Sequence, residues 1–348
     1  MKEKNVVIIG GGGFLGYHAS MTFINKGFSV NCIVMPEEIV DSSLSNNVNL
    51  LRLDIDNTSD EELINVFSSS DYLIYAAGPD DRVHLDPGVD SSWFFHKYLV
   101  ARTVRIFHLA TKANVKKGVI FGSYFSYINN HGLKNLKPNT LLKHPYIKAR
   151  KDQMDEVFKI TENKMEVSVL SIPYVFGVTP TKTSLWKSIF VDNYKDTNTI
   201  YYGNGSTTAI SAKKVGLAAY YAAINGKDCE LYPIGSANIT FVEMISLLLK
   251  SAGINKKVGK MPNFIMNFFM RKRAKDLEKN NISTGLDIKY LNKDILSKDF
   301  IVDYKNTDKL LDITYEEDIK EVIIETGKSI RADLDKEQQL KNSQDQQV

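Results

Sequence analysis

A tyrosine and an arginine stand four residues apart in the segment His144 to Lys151, where Pro145 suits the first turn of a helix. Residues at this spacing share one helix face, so Tyr146 and Arg150 meet, whereas Lys148 projects away from them. A fixed cation stabilises a phenolate and lowers the tyrosine pKa toward the range useful for proton transfer. The pair therefore fits acid–base chemistry, although an ordinary amphipathic helix with exposed bases also explains it.

Two further groups of candidate residues follow apolar strand patterns. Ser123 ends the strand-like run from Lys117, where it faces a cleft and can hydrogen-bond a reacting oxygen; Tyr124 and Phe125 come next as candidate substrate contacts. Asp80 and Arg82 follow an earlier strand and can contact a sugar, a phosphate or a carboxylate. A solvated loop is the other explanation for those two residues.

An apolar run, Asn5 to Ile9, leads straight into glycines spaced G-x-x-G-x-x-G. Gly10 permits a tight turn, Gly13 lets the backbone approach a phosphate, and Gly16 lets the next helix pack on the strand. The helix N-terminus offers free N–H groups to an anion. The spacing predicts a dinucleotide site, with a merely tight turn as the alternative, and the residues expected to hold the pyrophosphate are Gly10, Gly12, Gly13, Phe14, Leu15 and Gly16.

The ends of the third and fourth strands offer contacts for the rest of a dinucleotide. Ala76, Ala77 and Gly78 are small enough for a flat ring or a ribose to lie against the backbone, or they mark a crowded strand–helix crossing. Asp54, with Ile55 beside it, is placed to accept a hydrogen bond from an adenine amino group. Asp is also a common turn former.

Composition excludes several classes of protein. The 348 residues carry a net charge of only +3, too small and too evenly spread for nucleic-acid binding. The two cysteines have no near partner, so neither a disulfide framework nor a metal site is expected. No signal peptide and no membrane-spanning run is visible, which predicts a cytoplasmic protein without integral membrane association. A small-molecule substrate is the expected partner, and a homodimer is allowed for.

Strand and helix patterns alternate through the first half of the chain, which predicts an α/β fold with a doubly wound parallel sheet. Strand-like runs appear at 5–9, 29–34, 48–53, 72–77, 117–121 and 166–172, and helical patterns at 14–26, 61–68 and about 91–112. We divide the chain into a dinucleotide-binding domain, 1–175, which recruits later segments. A smaller, interleaved substrate lobe follows at 176–336, and then a disordered polar tail at 337–348.

One segment of the second half admits two interpretations. Residues 261–273 form a short apolar helical pattern that ends in three bases. Such a helix can dock on a membrane or a partner. More commonly it covers the substrate lobe, with a cationic C-terminus favoured by the helix dipole.

Together these motifs resemble the extended short-chain dehydrogenase/reductase family, the NAD-dependent epimerase/dehydratases, over roughly residues 5 to 250. The run Ile172 to Gly177 is similar to the family segment that approaches the nicotinamide, which implies a cofactor contact at Pro173. The resemblance implies that Tyr146 is the acid/base and that Ser123 orients the substrate oxygen. Arg150, where the family has a lysine, would then hold the cofactor ribose.

The chain departs from the family pattern in three places. Arg150 keeps the charge of the usual lysine but cannot shuttle protons, a trait that resembles a bacterial subgroup with Tyr-x-x-x-Arg. The asparagine common in the fourth helix is replaced near Tyr98. The acidic residue expected directly after strand two is missing. The choice between NAD and NADP stays open, with NAD favoured because Glu37 and Glu38 would repel a 2′-phosphate.

Two functions fit these observations. The first is an NAD(P)-dependent oxidoreductase or epimerase/dehydratase that acts on a hydroxyl or carbonyl carbon of a small molecule, with a nucleotide sugar as one candidate. The second is a dinucleotide-binding regulatory or scaffold protein that has lost turnover, which the change from lysine to Arg150 keeps open.

Overall fold

The computed structural model describes residues 4–345 and contains the predicted parallel sheet. The strands are β1 (Asn5–Ile9), β2 (Ser29–Val34), β3 (Asn49–Arg52), β4 (Tyr72–Tyr75), β5 (Lys117–Ser123), β6 (Glu166–Ile172), β7 (Tyr174–Phe176), β8 (Thr199–Tyr202), β9 (Ser206–Ser211), β10 (Leu231–Pro233), β11 (Ala237–Thr240), β12 (Lys257–Lys260) and β13 (Asp299–Phe300). The α-helices are α1 (Phe14–Asn25), α2 (Ser42–Ser45), α3 (Asp60–Ser68), α4 (Ser91–Phe95), α5 (Arg102–Lys112), α6 (Tyr124–His131), α7 (Pro145–Thr161), α8 (Leu185–Phe190), α9 (Ala212–Asn225), α10 (Phe241–Ser251), α11 (Asn263–Lys279), α12 (Ile288–Leu291), α13 (Tyr304–Leu311) and α14 (Ile319–Asp345). Residues 192–194 form a 3₁₀ turn.

Seven parallel strands form the large sheet in the order β10-β6-β5-β4-β1-β2-β3. Helices cover both of its faces, so the central strands are apolar throughout rather than alternating: Val6 to Ile9 of β1 are all at most 1% exposed. The chain order reverses between β1 and β4, and crevices at such switch points bind ligands in this fold. The expected α/β doubly wound fold is confirmed.

The second half of the chain is divided between the large sheet and a smaller lobe. Helix α9 packs on α1, and β10 adds to the edge of the large sheet beside β6. The lobe contains the small sheet of β11, β9, β13 and β7 and the pair β8–β12. Elements beyond residue 175 thus return to the large sheet.

Local sequence explains most of the element boundaries. Pro145 opens α7, and the Thr240 side chain accepts a hydrogen bond from the Glu243 amide (3.2 Å) at the start of α10. The predicted helix at 91–112 is present but is interrupted by a π-helical segment, His96–Ala101, in the region of Tyr98. A second π-helical segment spans Asn292–Leu296. π-Helical turns of this kind are common near functional sites.

The disordered tail expected from residue 337 is wrong as far as Asp345, since α14 continues to that residue. Glu337 pairs with Lys187 (3.1 Å), and the segment is rich in Glu, Gln and Lys, which are good helix formers even without burial. Residues 346–348 lie outside the described part of the chain. Within residues 4–345, no helix combines the length and the apolar character that crossing a bilayer requires.

Candidate active site

A cavity of about 350 Å³ lies at the carboxyl ends of β1, β4, β5 and β6. The chain segments that line it come from four strand ends, from α7, and from β7 and the region after it. Most of the residues that the sequence predicts for the site meet there: Gly13, Phe14, Leu15, Ala76, Ala77, Gly78, Asp80, Arg82, Ser123, Tyr124, Phe125, Tyr146, Arg150 and Pro173. The cavity is therefore the candidate active site.

Tyr146 and Arg150 contact each other as their spacing on α7 predicts. The Arg150 Nε donates a hydrogen bond to the Tyr146 hydroxyl (3.1 Å), and both residues are buried, at 8% and 5% exposed. Arg150 Nη1 also donates to the Phe121 carbonyl and to Gln153 Oε1, each at 3.0 Å. Gln153 in turn donates to Thr103 of α5 (2.7 Å). The arginine side chain is thus held in place by hydrogen bonds to β5 and α7 and, through Gln153, by α5.

The expected lowering of the Tyr146 pKa is not what the structure gives. Burial raises the pKa of the phenol, the Arg150 cation lowers it, and the carboxylates of Asp80 and Asp81 raise it; the net direction is upward. The interaction with Arg150 has the predicted sign, but desolvation outweighs it. The sequence identified the cation and had no information on the depth of burial.

Ser123 lies at the end of β5 and is also the N-cap of α6. Its hydroxyl accepts a hydrogen bond from the Phe125 amide (3.3 Å) and borders the cavity, with the residue 4% exposed. The Tyr124 hydroxyl is within 2.9 Å of the Thr207 hydroxyl, and the Phe125 ring packs on Phe300. Tyr124 and Phe125 are thus held firmly from the smaller lobe while they border the cavity.

The glycine turn has the shape that a pyrophosphate requires. Gly10 adopts φ +76°, and a Cβ on Gly16 would lie 1.9 Å from the Gly10 carbonyl oxygen, so α1 packs directly on the turn. A Cβ on Gly13 would meet only that same oxygen, at 3.2 Å. Gly13 is the N-cap of α1 and makes no side-chain hydrogen bond to the amides of the first turn, and Gly13, Phe14 and Leu15 border the cavity. These residues fit a dinucleotide.

The segment Ala76 to Gly78 supports both explanations that the sequence left open. All three residues border the cavity. Gly78 adopts φ +129°, and a Cβ there would lie 2.8 Å from Leu99 Cδ2 in the π-helical segment. The strand–helix crossing is therefore crowded and also leaves the backbone open to a ligand.

Asp54 and Ile55 do not border the cavity. Asp54 Oδ1 accepts from the Asp56 amide (3.0 Å) and Oδ2 from the Asn57 side chain (2.6 Å), so its carboxylate closes the turn after β3. Ile55 is 6% exposed, packs in the core, and its carbonyl accepts a hydrogen bond from Arg105. In this structure the Asp54 carboxylate and the Ile55 carbonyl accept hydrogen bonds that stabilise the loop after β3. This agrees with the alternative interpretation of Asp54 as a turn former.

An acidic side chain, Glu38, lies beside the glycine turn. Its carboxyl carbon lies 3.4 Å from where a Cβ of Gly12 would be, although it stands four residues beyond the end of β2. The loop is held by Arg52, whose Nη1 donates to the Pro36 and Glu38 carbonyls, and Lys182 pairs with the Glu38 carboxylate (2.6 Å). The loop after β2 thus folds back and places this carboxylate next to Gly12.

Asp80, Asp81 and Arg82 form a charged cluster on the cavity wall. Arg82 Nη1 lies 3.2 Å from Asp80 and 3.6 Å from Asp81. The guanidinium stacks at 5.1 Å from the Tyr174 ring and 5.0 Å from the Trp186 ring. Burial and the neighbouring Asp80 raise the pKa of Asp81 to about 7 against the attraction of Arg82. The Asp80 side chain is more exposed than that of Asp81. Burial raises the pKa of Asp80, but the Arg82 guanidinium and a hydrogen bond from the Arg82 backbone amide outweigh burial, so the pKa is lowered.

The sequence did not indicate the aromatic part of this wall. Tyr174 and Trp186 are stacked 5.5 Å apart, and Trp186 continues onto Phe176 and Phe190 at 4.9 and 5.7 Å. Their contact with Arg82 joins chain segments about a hundred positions apart, so no local spacing could have revealed it. Only the position of Tyr174 just after Pro173 pointed to the cavity.

Solved structures with the same fold include sugar-nucleotide enzymes. The protein named gox2253 matches with a TM-score of 0.76 and 15% identity over 95% of this chain and 98% of that one. UDP-glucose 4-epimerase from Thermotoga maritima, solved with UDP-glucose, matches at 0.68 and 17% over 95% and 99%. WbmH from Bordetella bronchiseptica, solved with NAD⁺, matches at 0.65 and 13% over 92% and 96%. At such identities the likeness concerns the fold alone.

The sequence comparisons give information on the family as well as on the fold. A bifunctional UDP-glucose and UDP-xylose 4-epimerase of Pisum sativum is 27% identical over 136 residues, which span 36% of this chain and 38% of the pea protein. The model of the NAD dependent epimerase/dehydratase family matches residues 6–208, more than half of the chain and all of the glycine turn, Ser123 and the Tyr146–Arg150 pair. The chain therefore belongs to the NAD-dependent epimerase/dehydratase family.

Proposed function

We propose that this protein is an active NAD-linked enzyme that oxidises or reduces a hydroxyl-bearing carbon of a nucleotide sugar, as part of an epimerisation or a dehydration. The observation that carries the proposal is the hydrogen bond between Arg150 and Tyr146 (3.1 Å) inside the cavity that Ser123 and Gly13 also border. A proton-transfer group, its cation, a hydroxyl donor and a phosphate-sized cradle thus converge on one space.

Each side chain of the proposed centre has one task. The Tyr146 hydroxyl takes the proton from the substrate hydroxyl as its carbon is oxidised and returns it on reduction. Ser123 hydrogen-bonds the same substrate oxygen and orients it. Arg150 stabilises the phenolate by charge, and its Nη2, which makes no hydrogen bond within residues 4–345, is free for a ribose hydroxyl.

The cofactor would be held by the glycine turn and the strand ends. The amides after Gly13 would bind the pyrophosphate, and Ala76 to Gly78 and Pro173 would flank the nicotinamide nucleoside. Bound NAD supplies a hydride acceptor and donor at the substrate carbon. Glu38, beside Gly12, suits ribose hydroxyls and would repel a 2′-phosphate, which supports NAD over NADP.

The cluster of Asp80, Asp81 and Arg82 faces the space left for a substrate. Carboxylates accept hydrogen bonds from sugar hydroxyls, and a guanidinium binds phosphate or carboxylate groups. Both chemistries occur in a nucleotide sugar. The UDP-sugar enzymes among the relatives support this class, while the sugar itself stays unspecified.

The test begins with the purified protein denatured to release any bound dinucleotide, which mass spectrometry identifies. Protein loaded with NAD is then incubated with a panel of UDP-sugars, and NMR follows the products. An epimerase gives an isomer with no net change in reduced nicotinamide, and a dehydratase gives a product lighter by one water. An oxidoreductase that does not return the hydride converts NAD to NADH as it oxidises the sugar, one for one. Tyr146→Phe is the matched control for chemistry that depends on this centre.

A regulatory protein without turnover is the second candidate. It is favoured by two observations: Arg150 stands where the resemblance implies a lysine, and burial raises the Tyr146 pKa. Tight NAD binding together with no product from any sugar or ketone in the panel, at pH 7 and at pH 9.5, would contradict the enzymatic proposal and support this one.

A further inference from the structure

Helix α11 presents an unusual exposed face. Only Met266 of the helix is buried; Met270 is partly buried against the core, and the Asn267 side chain accepts a hydrogen bond from Asn292 (2.9 Å) on the same inner side. Opposite them, Phe264 is 75% exposed and Phe268 66% exposed. The inner side of the helix therefore covers the core, as the more common interpretation of this segment expects, while two phenylalanines four residues apart remain in water on its outer side.

The same exposed face continues as a row of bases. At 100° per residue, one side of the helix carries in order Phe264, Phe268, Arg271, Lys272, Lys275 and Lys279, all of them exposed. The row extends about 22 Å along the axis, at 1.5 Å per residue. Phenylalanines thus occupy one end of the stripe and cations the other.

Charge is concentrated in this part of the molecule. From Lys256 to Lys279 the sequence has eight Lys or Arg and two acidic residues, Asp276 and Glu278, although the whole chain carries only +3. Lys257 and Lys260 of β12 are exposed immediately before the helix, and Tyr201, the register partner of Gly259 on β8, is 52% exposed. Exposed basic and aromatic residues therefore occur on the two-stranded sheet that precedes α11 in the chain as well as on the helix itself.

We propose that this face, from β12 through α11, binds the surface of an anionic lipid bilayer, with Phe264 and Phe268 inserted among the acyl chains near the headgroups. Basic residues beside exposed aromatic ones are the combination that holds an interfacial helix on such a membrane. A second copy of this chain would bring two strongly basic faces together, and the repulsion between them opposes self-association. The attachment is peripheral and uses none of the residues of the candidate active site.

Flotation with vesicles tests the proposal. The full-length protein is mixed with vesicles of phosphatidylcholine alone or with three parts in ten phosphatidylglycerol, at low and at high salt. We expect binding to the anionic vesicles that weakens as salt rises, and little binding to phosphatidylcholine. The double variant Arg271→Gln/Lys275→Gln should bind about twenty-five-fold more weakly, because each base near an anionic surface contributes about fivefold.

Two further variants separate insertion from simple adsorption. The double variant Phe264→Ser/Phe268→Ser should bind the anionic vesicles at least tenfold more weakly than the wild type. In Phe268→Trp, brominated acyl chains should quench the tryptophan fluorescence more strongly than they do in the wild type. The matched control carries Lys305→Gln, Lys309→Gln and Leu310→Ser on α13, which are also exposed, and should bind like the wild type. Circular dichroism checks that every variant is folded.

Three outcomes would overturn the proposal. The first is that the wild-type protein does not float with anionic vesicles at low salt. The second is that the phenylalanine variants bind as well as the wild type, and the third is that the α13 control loses as much vesicle binding as the test variants. Self-association that the phenylalanine changes abolish, without vesicle binding, would assign the face to a second copy instead. Nucleotide-sugar turnover is measured separately, so failure here leaves the proposed function intact.

Discussion

Replacing Tyr146 by Phe removes one oxygen from the centre of the candidate site and tests its chemistry directly. A positioned acid or base contributes about 10² to 10⁴-fold to a rate, so turnover should fall by that factor, equivalent to about 2.7 to 5.4 kcal/mol of barrier. The ring stays against Phe95, with centroids 5.4 Å apart, so packing should be preserved. Cofactor binding should be largely retained.

The same change has a calculable cost in stability. Arg150 Nε loses the one acceptor it has among residues 4–345, the Tyr146 hydroxyl at 3.1 Å, while the Nη1 hydrogen bonds to Phe121 and Gln153 persist. Hydrogen bonds to a charged group contribute about 1.5 to 3 kcal/mol, and we expect a loss toward the lower figure because the cavity gives water access to the guanidinium. Tyr124→Phe is the control: it removes another buried phenol from the cavity wall, bonded to Thr207 rather than to a cation.

The assay is steady-state turnover of an identified UDP-sugar, combined with urea denaturation and NAD calorimetry on both variants. The reasoning requires a rate loss for Tyr146→Phe at least tenfold greater than for Tyr124→Phe, at similar stability. Wild-type turnover by Tyr146→Phe would refute the assignment of Tyr146 as the acid or base. A loss that merely tracked unfolding would refute it equally.

Six further substitutions, at five positions, have defined outcomes. Gly13→Val should abolish NAD binding in a folded protein, as calorimetry will show, whereas Gly16→Ala, whose Cβ would lie 1.9 Å from a carbonyl oxygen, should lower the unfolding free energy strongly. Glu38→Gln should weaken NAD binding about tenfold, and the ratio of NAD affinity to NADP affinity, measured in parallel titrations, should fall. A wild-type protein that binds NADP more tightly than NAD would contradict the role proposed for this carboxylate. In Arg150→Met the cation that lowers the phenol pKa is gone, so the limb of the pH–rate profile that reports Tyr146 ionisation should move to higher pH. Arg150→Lys should keep measurable activity, and its limb should move by less. Folding raises the pKa of Asp81 to about 7, so ionisation of this carboxyl group destabilises the folded protein as the pH rises toward 7. The free energy of unfolding of Asp81→Asn should therefore increase relative to that of the wild type between pH 4 and pH 7. Urea titrations that give a constant difference over this range would contradict this.

The parts of the site that the sequence predicted are those set by local geometry. A strand followed by glycines at fixed spacing gives the turn before α1, and a spacing of four on α7 brings Tyr146 to Arg150. The fold class followed for the same reason, since alternating strands and helices leave few ways to connect a parallel sheet. Each of these inferences needs only neighbours within about a dozen residues.

What the sequence could not supply depends on contacts between distant segments. Glu38 reaches Gly12 because the loop after β2 folds back, and Arg82 meets Trp186 across a hundred positions. The direction of the Tyr146 pKa depends on how deeply the phenol is buried, which spacing does not show. The helical continuation of α14 was missed because polar composition was taken as disorder, although Gln, Lys and Glu also favour helices.

Arg150 is part of the scaffold as much as of the chemistry. Its guanidinium joins α7 to the β5 backbone at Phe121 and, through Gln153, to Thr103, whose hydroxyl donates to the Leu99 carbonyl (2.6 Å) in the π-helical segment. A lysine ammonium is a point charge and cannot span these acceptors in a fixed plane. The arginine thus holds its charge beside Tyr146 whether or not a ribose is present, and this is the physical reason to expect that a chain with Tyr-x-x-x-Arg retains an organised centre.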